Sequence, residues 1–189
     1  MSNETSPTPP SSGSGGTPAA CTTTACPDPS KYGKAITIEG DDDFKKKTRQ
    51  CLDAINKTPT GAKMIKSIED SGKKVTFKET SQGNSAQAKS SKAKRKADGS
   101  PGDGSSSTVK YNPTKTQIGD GSEPWMKRPP CVGLAHELVH VYHSANGTGD
   151  FPPKSEDMAV GVPPYDTEPV TENKIRDEWT PKQPQRPRY

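Results

Sequence analysis

Cys131-Val132-Gly133-Leu134-Ala135-His136-Glu137-Leu138-Val139-His140-Val141-Tyr142-His143 is the stretch whose reading decides the fold. Pro129 and Pro130 precede it and Asn146-Gly147 follows, a proline start and a glycine stop that predict a helix. Val132, Leu134, Ala135, Leu138, Val139 and Val141 spread around the helix, so burial on several sides is expected. Within it, His136-Glu137-Leu138-Val139-His140 has the pattern H-E-x-x-H. Side chains at i and i+4 sit one turn apart, with Cβ atoms about 6 Å apart, so two imidazoles can share one ion. Glu137 then projects beside the metal rather than onto it, where it can take a proton from water and pass it to a leaving amine. Zinc, as a single ion, is the cofactor this set suits, because it activates water without a protein nucleophile. The plain alternative is a packed helix with incidental polar residues. Burying His, Glu and His together without a metal would leave several polar groups to satisfy, which weighs against it.

His143 returns to the face of His136 and looks like a third ligand, but seven residues place it about 10.5 Å along the axis. That is too far for one tetrahedral ion, so His143 is read as supporting the site or lying at the surface. The longer pattern H-E-x-x-H-x-x-G-x-x-H also fails, since His143 stands at its glycine and Asn146 at its third histidine. Carboxylates remain as candidates. Glu156 lies 16 residues past His140, after Asn146-Gly147 ends the helix and residues 149–153 turn the chain. Ser155 is placed to cap a short helix carrying it back to the metal. Asp157, Glu168 and Glu172 are the alternatives, each with surface charge as its ordinary role.

The rest of the chain limits the fold around this helix. Of 189 residues only 26% are hydrophobic, with 20 Pro and 17 Gly, so a large core is excluded. No apolar run of about 18 residues exists, which argues against a membrane partner. The first 20 residues lack the apolar segment of a signal peptide, so export by another route is expected. Net charge is +4, and the excess is local: Lys89, Lys92, Lys94, Arg95 and Lys96 fall within eight residues. Such a run is ordinarily a solvated loop. Nuclear entry is the sharper reading, and the lack of interleaved aromatics weighs against nucleic acid. The four cysteines are sparse, so mostly free thiols in a reducing compartment are expected.

Residues 1–33 are rich in Ser, Thr, Pro and Gly and are read as a disordered N-terminal tail. A strand is expected at Ala35–Ile38 and a helix after Asp41, with Phe44, Thr48, Cys51, Leu52 and Ile55 at helical spacing. Met64, Ile65 and Ile68 mark a second helix after Thr58-Pro59-Thr60-Gly61, stopping at Gly72. Val75 and Phe77, and likewise Val109 and Tyr111, alternate as strands that could pair. Between them, residues 81–107 read as a disordered basic insertion at the tip of a hairpin. A short helix is expected near Thr171–Trp179. The fold class is therefore α+β: a small metallopeptidase-like domain over residues 34–189, with a short sheet, an active-site helix and disordered flanking segments.

Gly133–His140, Glu156 with Ala159-Val160-Gly161, residues 171–178 and the closing Arg186-Pro187-Arg188-Tyr189 together resemble the NleD-like bacterial effector zinc metallopeptidases. The resemblance spans roughly residues 34–189. It implies a zincin-like endopeptidase with His136, His140 and Glu156 on the metal and Glu137 as general base. It further implies delivery into host cytoplasm, commonly by type III secretion, or carriage as a toxin domain. A monomer is expected, with a host signalling protein as substrate. Tyr142, Tyr165, Arg176 and Tyr189 remain candidates for stabilising the transition state. The competing classes are a nuclear or nucleic-acid-binding protein built on residues 89–96 and a catalytically idle zinc-binding domain. Glu137 argues against the latter, because a structural zinc site has no use for a general base.

Overall fold

In the computed structural model, residues 31–189 are described. The tail expected over residues 1–33 thus lies, up to residue 30, outside the described residues, as do Cys21 and Cys26. The elements run β1 (Ile36–Glu39), α1 (Asp42–Asn56), α2 (Pro59–Asp70), β2 (Val75–Glu79), β3 (Ser85–Ala88), β4 (Ser107–Tyr111), α3 (Pro130–Ala145), α4 (Lys154–Val160) and α5 (Glu172–Glu178). The architecture is α+β, with five helices on a four-stranded sheet.

Local chemistry sets each helix start. Asp41 caps α1 by accepting from Phe44 N (2.8 Å), and Thr58 caps α2 by accepting from Gly61 N (3.0 Å), with Pro59 at its first position. Thr171 caps α5 in the same way. The opposite end of α5 is tied to α2, whose first turn presents Thr60 N and Oγ1 to the Glu178 carboxylate at 2.8 and 2.7 Å. Free N–H groups at a helix start favour such an anion.

The sheet order is β1-β2-β4-β3, with β1, β2 and β4 parallel and β3 antiparallel at the edge. Val75 and Phe77 do neighbour Val109 and Tyr111, but in parallel, so they are not the two arms of a hairpin. Their shared face packs with Phe44, Leu52, Ile55, Met64 and Ile68 onto Leu134, Leu138 and Val141 of α3. Side chains from α1, α2, α5 and the sheet thus close around α3, which leaves the H-E-x-x-H run on a deeply buried helix.

Residues 81–107 are structured, contrary to the disordered insertion read from their composition. Ser85–Ala88 pair with β4, Lys89 N donates to Ser106 O (2.9 Å), and Ala93 is buried. Gly102 N donates to Gly147 O (2.8 Å), and Gly104 N to Lys92 O (2.9 Å). Main-chain hydrogen bonds to distant segments replace the apolar side chains this stretch lacks, and no compositional rule registers such bonds.

Cys51 and Cys131 form a disulfide across 80 residues of sequence, which corrects the expectation of free thiols for this pair. Packing of α1 against α3 brings their Cα atoms to 4.8 Å, a proximity that sequence spacing cannot reveal. Reduction, or a Cys51→Ser/Cys131→Ser double variant, is expected to lower the unfolding free energy by about 2–4 kcal/mol. Urea denaturation with and without reductant measures this, and an unchanged midpoint would contradict it.

Candidate active site

Helix α3 places His136 and His140 one turn apart, both facing a cleft of about 540 Å³. Its C-terminus is fixed by Gly147, whose positive φ of 67° lets Thr148 N reach back to His143 O (2.9 Å) and Gly147 N to Ser144 O (3.3 Å). After that turn α4 carries Glu156 to the two imidazoles. The helix starts at Lys154, so Ser155 lies inside it rather than capping it.

Glu156 Oε2 lies 3.3 Å from His136 Nε2 and 3.1 Å from His140 Nε2, and the two Nε2 atoms are 3.3 Å apart. These three residues are the group among the described residues that could hold a metal ion. Glu137 is buried beside them in the cleft wall, and burial raises its carboxyl pKa. Burial pulls the His136 imidazole down, but the carboxylates of Glu156 and Glu172 outweigh it and hold its pKa at about 9. For Glu156 the opposite balance holds: burial raises it, and His136 and His140 bring it well below the usual carboxylate range.

Glu172 does not join the ligand triangle. It is fully buried behind His136, with all four of its acceptor directions used. Oε2 accepts from His136 Nδ1 and from Arg186 Nη1, each at 2.9 Å; Oε1 accepts from Arg128 Nη1 at 2.9 Å and Arg176 Nε at 2.8 Å. Burial alone would raise its pKa, but His136, Arg128 and Arg186 hold it well below the ordinary value. A carboxylate on the far nitrogen of a ligating histidine fixes both ring orientation and tautomer. The sequence signal for this role was faint: a Thr171 cap and an i,i+4 pair with Arg176.

The closing segment is drawn to the same point. Asn173 clasps the Arg186 main chain through two hydrogen bonds of 2.9 and 2.8 Å. Tyr189 then stacks on His136, with ring centroids 6.0 Å apart and planes at 15°. Burial, with Glu156 and Glu137 nearby, raises its phenol pKa. Of the four candidates for stabilising the transition state, Tyr189 lines the cleft, whereas Arg176 is buried on Glu172 and neither Tyr142 nor Tyr165 reaches it. Asp157 and Glu168 are half-buried and outside the cleft lining. His143 is buried, not at the surface, and accounts for no part of the triangle. The edge strand β3 with Ser90, Ser91, Ala93 and Lys94 also lines the cleft, a role that no local sequence signal marks.

The family model Peptidase_M91, described as effector protein, matches residues 32–189. The chain belongs to this family. It is thus a peptidase of the effector class, for which a protein is the substrate. No curated protein matches it. No helix among the described residues is long and apolar enough to cross a membrane.

Proposed function

We propose that this Peptidase_M91 member is a zinc-dependent endopeptidase, delivered as an effector, that cuts a protein of the target cell. The observation that carries the reading is the ligand triangle with edges of 3.1 and 3.3 Å. Ligand atoms about 2.0–2.1 Å from a tetrahedral zinc are separated by about 3.3 Å, so the three atoms already have the spacing such an ion requires. Two imidazoles and a carboxylate are also a recurrent donor set for catalytic zinc. A cation would replace the proton shared between His136 and Glu156, which is how metal binding couples to ligand deprotonation.

Bound zinc supplies Lewis-acid activation of water and of the scissile carbonyl. Glu137 takes the proton of the attacking water and delivers it to the departing amine nitrogen; its raised pKa suits it to both halves of that transfer. Glu172 holds His136 through Nδ1, keeping Nε2 turned toward Glu156 and His140. Tyr189, a protonated phenol at the cleft wall, donates a hydrogen bond to the carbonyl oxygen as negative charge develops on it. The free edge of β3 offers main-chain groups to an extended peptide in the cleft.

The test is zinc content by mass spectrometry, with affinity by chelator competition. One zinc per chain is expected, together with a higher Tm on zinc addition. Glu156→Ala should weaken zinc binding more than about 100-fold, whereas Asp157→Ala should leave it unchanged. Wild-type affinity in Glu156→Ala would remove Glu156 from the ligand set.

Tyr189→Phe is expected to lower kcat about 10- to 100-fold with little change in KM, since the bond is made only as charge develops. Tyr189 as a residue is 61% exposed, so the fold should be indifferent to loss of the hydroxyl. Steady-state kinetics on a cleaved peptide checks this, and an unchanged kcat would sink the assignment.

A further inference from the structure

A donor that meets a developing negative charge must be held in place beforehand, yet Tyr189 is largely exposed and gains no rigidity from burial. Its support comes from a segment far back in the chain. Pro124–Met126 forms a single helical turn, tied down by Ile118 N donating to Met126 O (2.8 Å) and Arg128 N donating to Thr116 O (2.9 Å). Trp125 in this turn is 8% exposed but stands outside the apolar core cluster. Its indole N–H donates to the Glu123 carboxylate. The closing segment lies against its ring: Cζ of Arg186 is 5.6 Å and Cζ of Arg188 5.5 Å from the centroid. Arg188 is paired with Glu123 as well, at 3.2 Å.

Arg186 carries these contacts to the site. Its Cζ lies 5.3 Å from the Tyr189 ring centroid, so one guanidinium meets both the Trp125 and the Tyr189 ring. Its Nη1 donates to Glu172 Oε2 at 2.9 Å. Glu172 holds His136 through Nδ1, and Tyr189 stacks on His136. Arg186, Glu172, His136 and Tyr189 thus close a ring of contacts, and Trp125 backs that ring at Arg186. Attraction of a cation to an aromatic face is strongest for tryptophan and depends on the ring's charge distribution, not on apolar bulk alone.

We propose that Trp125 is a positioning residue, which through Arg186 holds the Tyr189 ring against His136 with its hydroxyl ready for the scissile carbonyl. Trp125 is not among the residues lining the cleft, so its effect on a bound peptide passes through Tyr189. The catalytic consequence rests on the endopeptidase reading; the placement of the ring does not. A residue that merely filled space would be replaced equally well by any apolar side chain, and the test uses that difference. Trp125→Phe keeps an aromatic face for Arg186, whereas Trp125→Leu keeps an apolar side chain without one.

Fluorotyrosine is introduced at position 189 of the full chain, and its fluorine NMR signal is followed with zinc added. In wild type and Trp125→Phe the signal should stand apart from its value in denatured protein, because His136 and Arg186 flank the ring. In Trp125→Leu it should move most of the way to the denatured value, and an unmoved signal would overturn the proposal. Should Trp125→Leu not fold, Glu123→Ala replaces it, since this frees both the indole and Arg188; the same movement is expected and an unmoved signal has the same force. In peptide cleavage, Trp125→Leu should lower kcat about tenfold with KM and zinc affinity as in wild type, whereas Trp125→Phe should keep about half of kcat or more. Combining Trp125→Leu with Tyr189→Phe should be no slower than Tyr189→Phe alone, because a ring without its hydroxyl leaves nothing to position. Given a slow Tyr189→Phe, losses that multiply in the double variant, or equal kcat in Trp125→Leu and Trp125→Phe, would overturn the proposal. If Tyr189→Phe is as fast as wild type, or no peptide is cut, the catalytic reading of Tyr189 fails, and the fluorine signal by itself decides whether Trp125 places the ring.

Discussion

Glu137→Gln is expected to reduce peptide hydrolysis by about 10³-fold or more while leaving zinc content and fold as in wild type. The substitution keeps shape and volume but cannot accept the proton of the attacking water. Fold should survive because the side chain makes no ion pair among the described residues, and burial already disfavours its charged form. Zinc should survive because the three converging atoms belong to His136, His140 and Glu156. Metal analysis beside single-turnover cleavage decides the matter. Activity within tenfold of wild type would remove Glu137 from the chemistry, and loss of zinc would instead make it part of the ligand set.

The second large effect is expected at a residue outside the metal's reach. Glu172→Gln keeps the volume of the side chain but removes the charge that Arg128, Arg176, Arg186 and His136 surround. These four contacts lie at 2.8–2.9 Å, and the carboxylate is fully buried. Breaking a buried ion-pair network from one side costs about 3–5 kcal/mol, because the remaining charges stay buried without compensation. That is a large part of an ordinary domain's total stability. Urea denaturation of the metal-free protein should show it directly. Zinc affinity should fall about 10- to 100-fold as well, since His136 loses the partner that fixes its ring. A variant with wild-type stability and affinity would show that the cluster neither supports the fold nor orients the ligand.

The cluster also shows where composition misleads. Glu172, Arg176 and Arg186 are residue types whose ordinary place is the surface, yet each is at most 4% exposed. They are buried together because their charges are complementary and because the closing segment, clasped by Asn173, folds back over α5. The stretch 81–107 fails in the same direction. Its low apolar content suggested disorder, but its main chain is held by β4 and by the turn after α3, and it becomes a wall of the cleft.

The sequence by itself determined the elements whose signals are local. The caps at Asp41 and Thr58, the apolar spacing of α1 and α2, the alternation at Val75 and Val109, and the H-E-x-x-H run on α3 can each be read within about fifteen residues, because helix and strand periods and capping bonds are short-range. The triangle of His136, His140 and Glu156 was half legible: two of its corners share one helix turn, and the third could be ranked but not fixed. Tertiary structure alone decided what depends on segments far apart in the chain. It set the parallel order of β2 and β4, the Cys51–Cys131 bridge, the placement of Glu172 behind His136, and the approach of Tyr189 and Lys94 to one cleft. Such contacts arise from packing and charge pairing between elements, and no residue's neighbours in sequence carry a record of them.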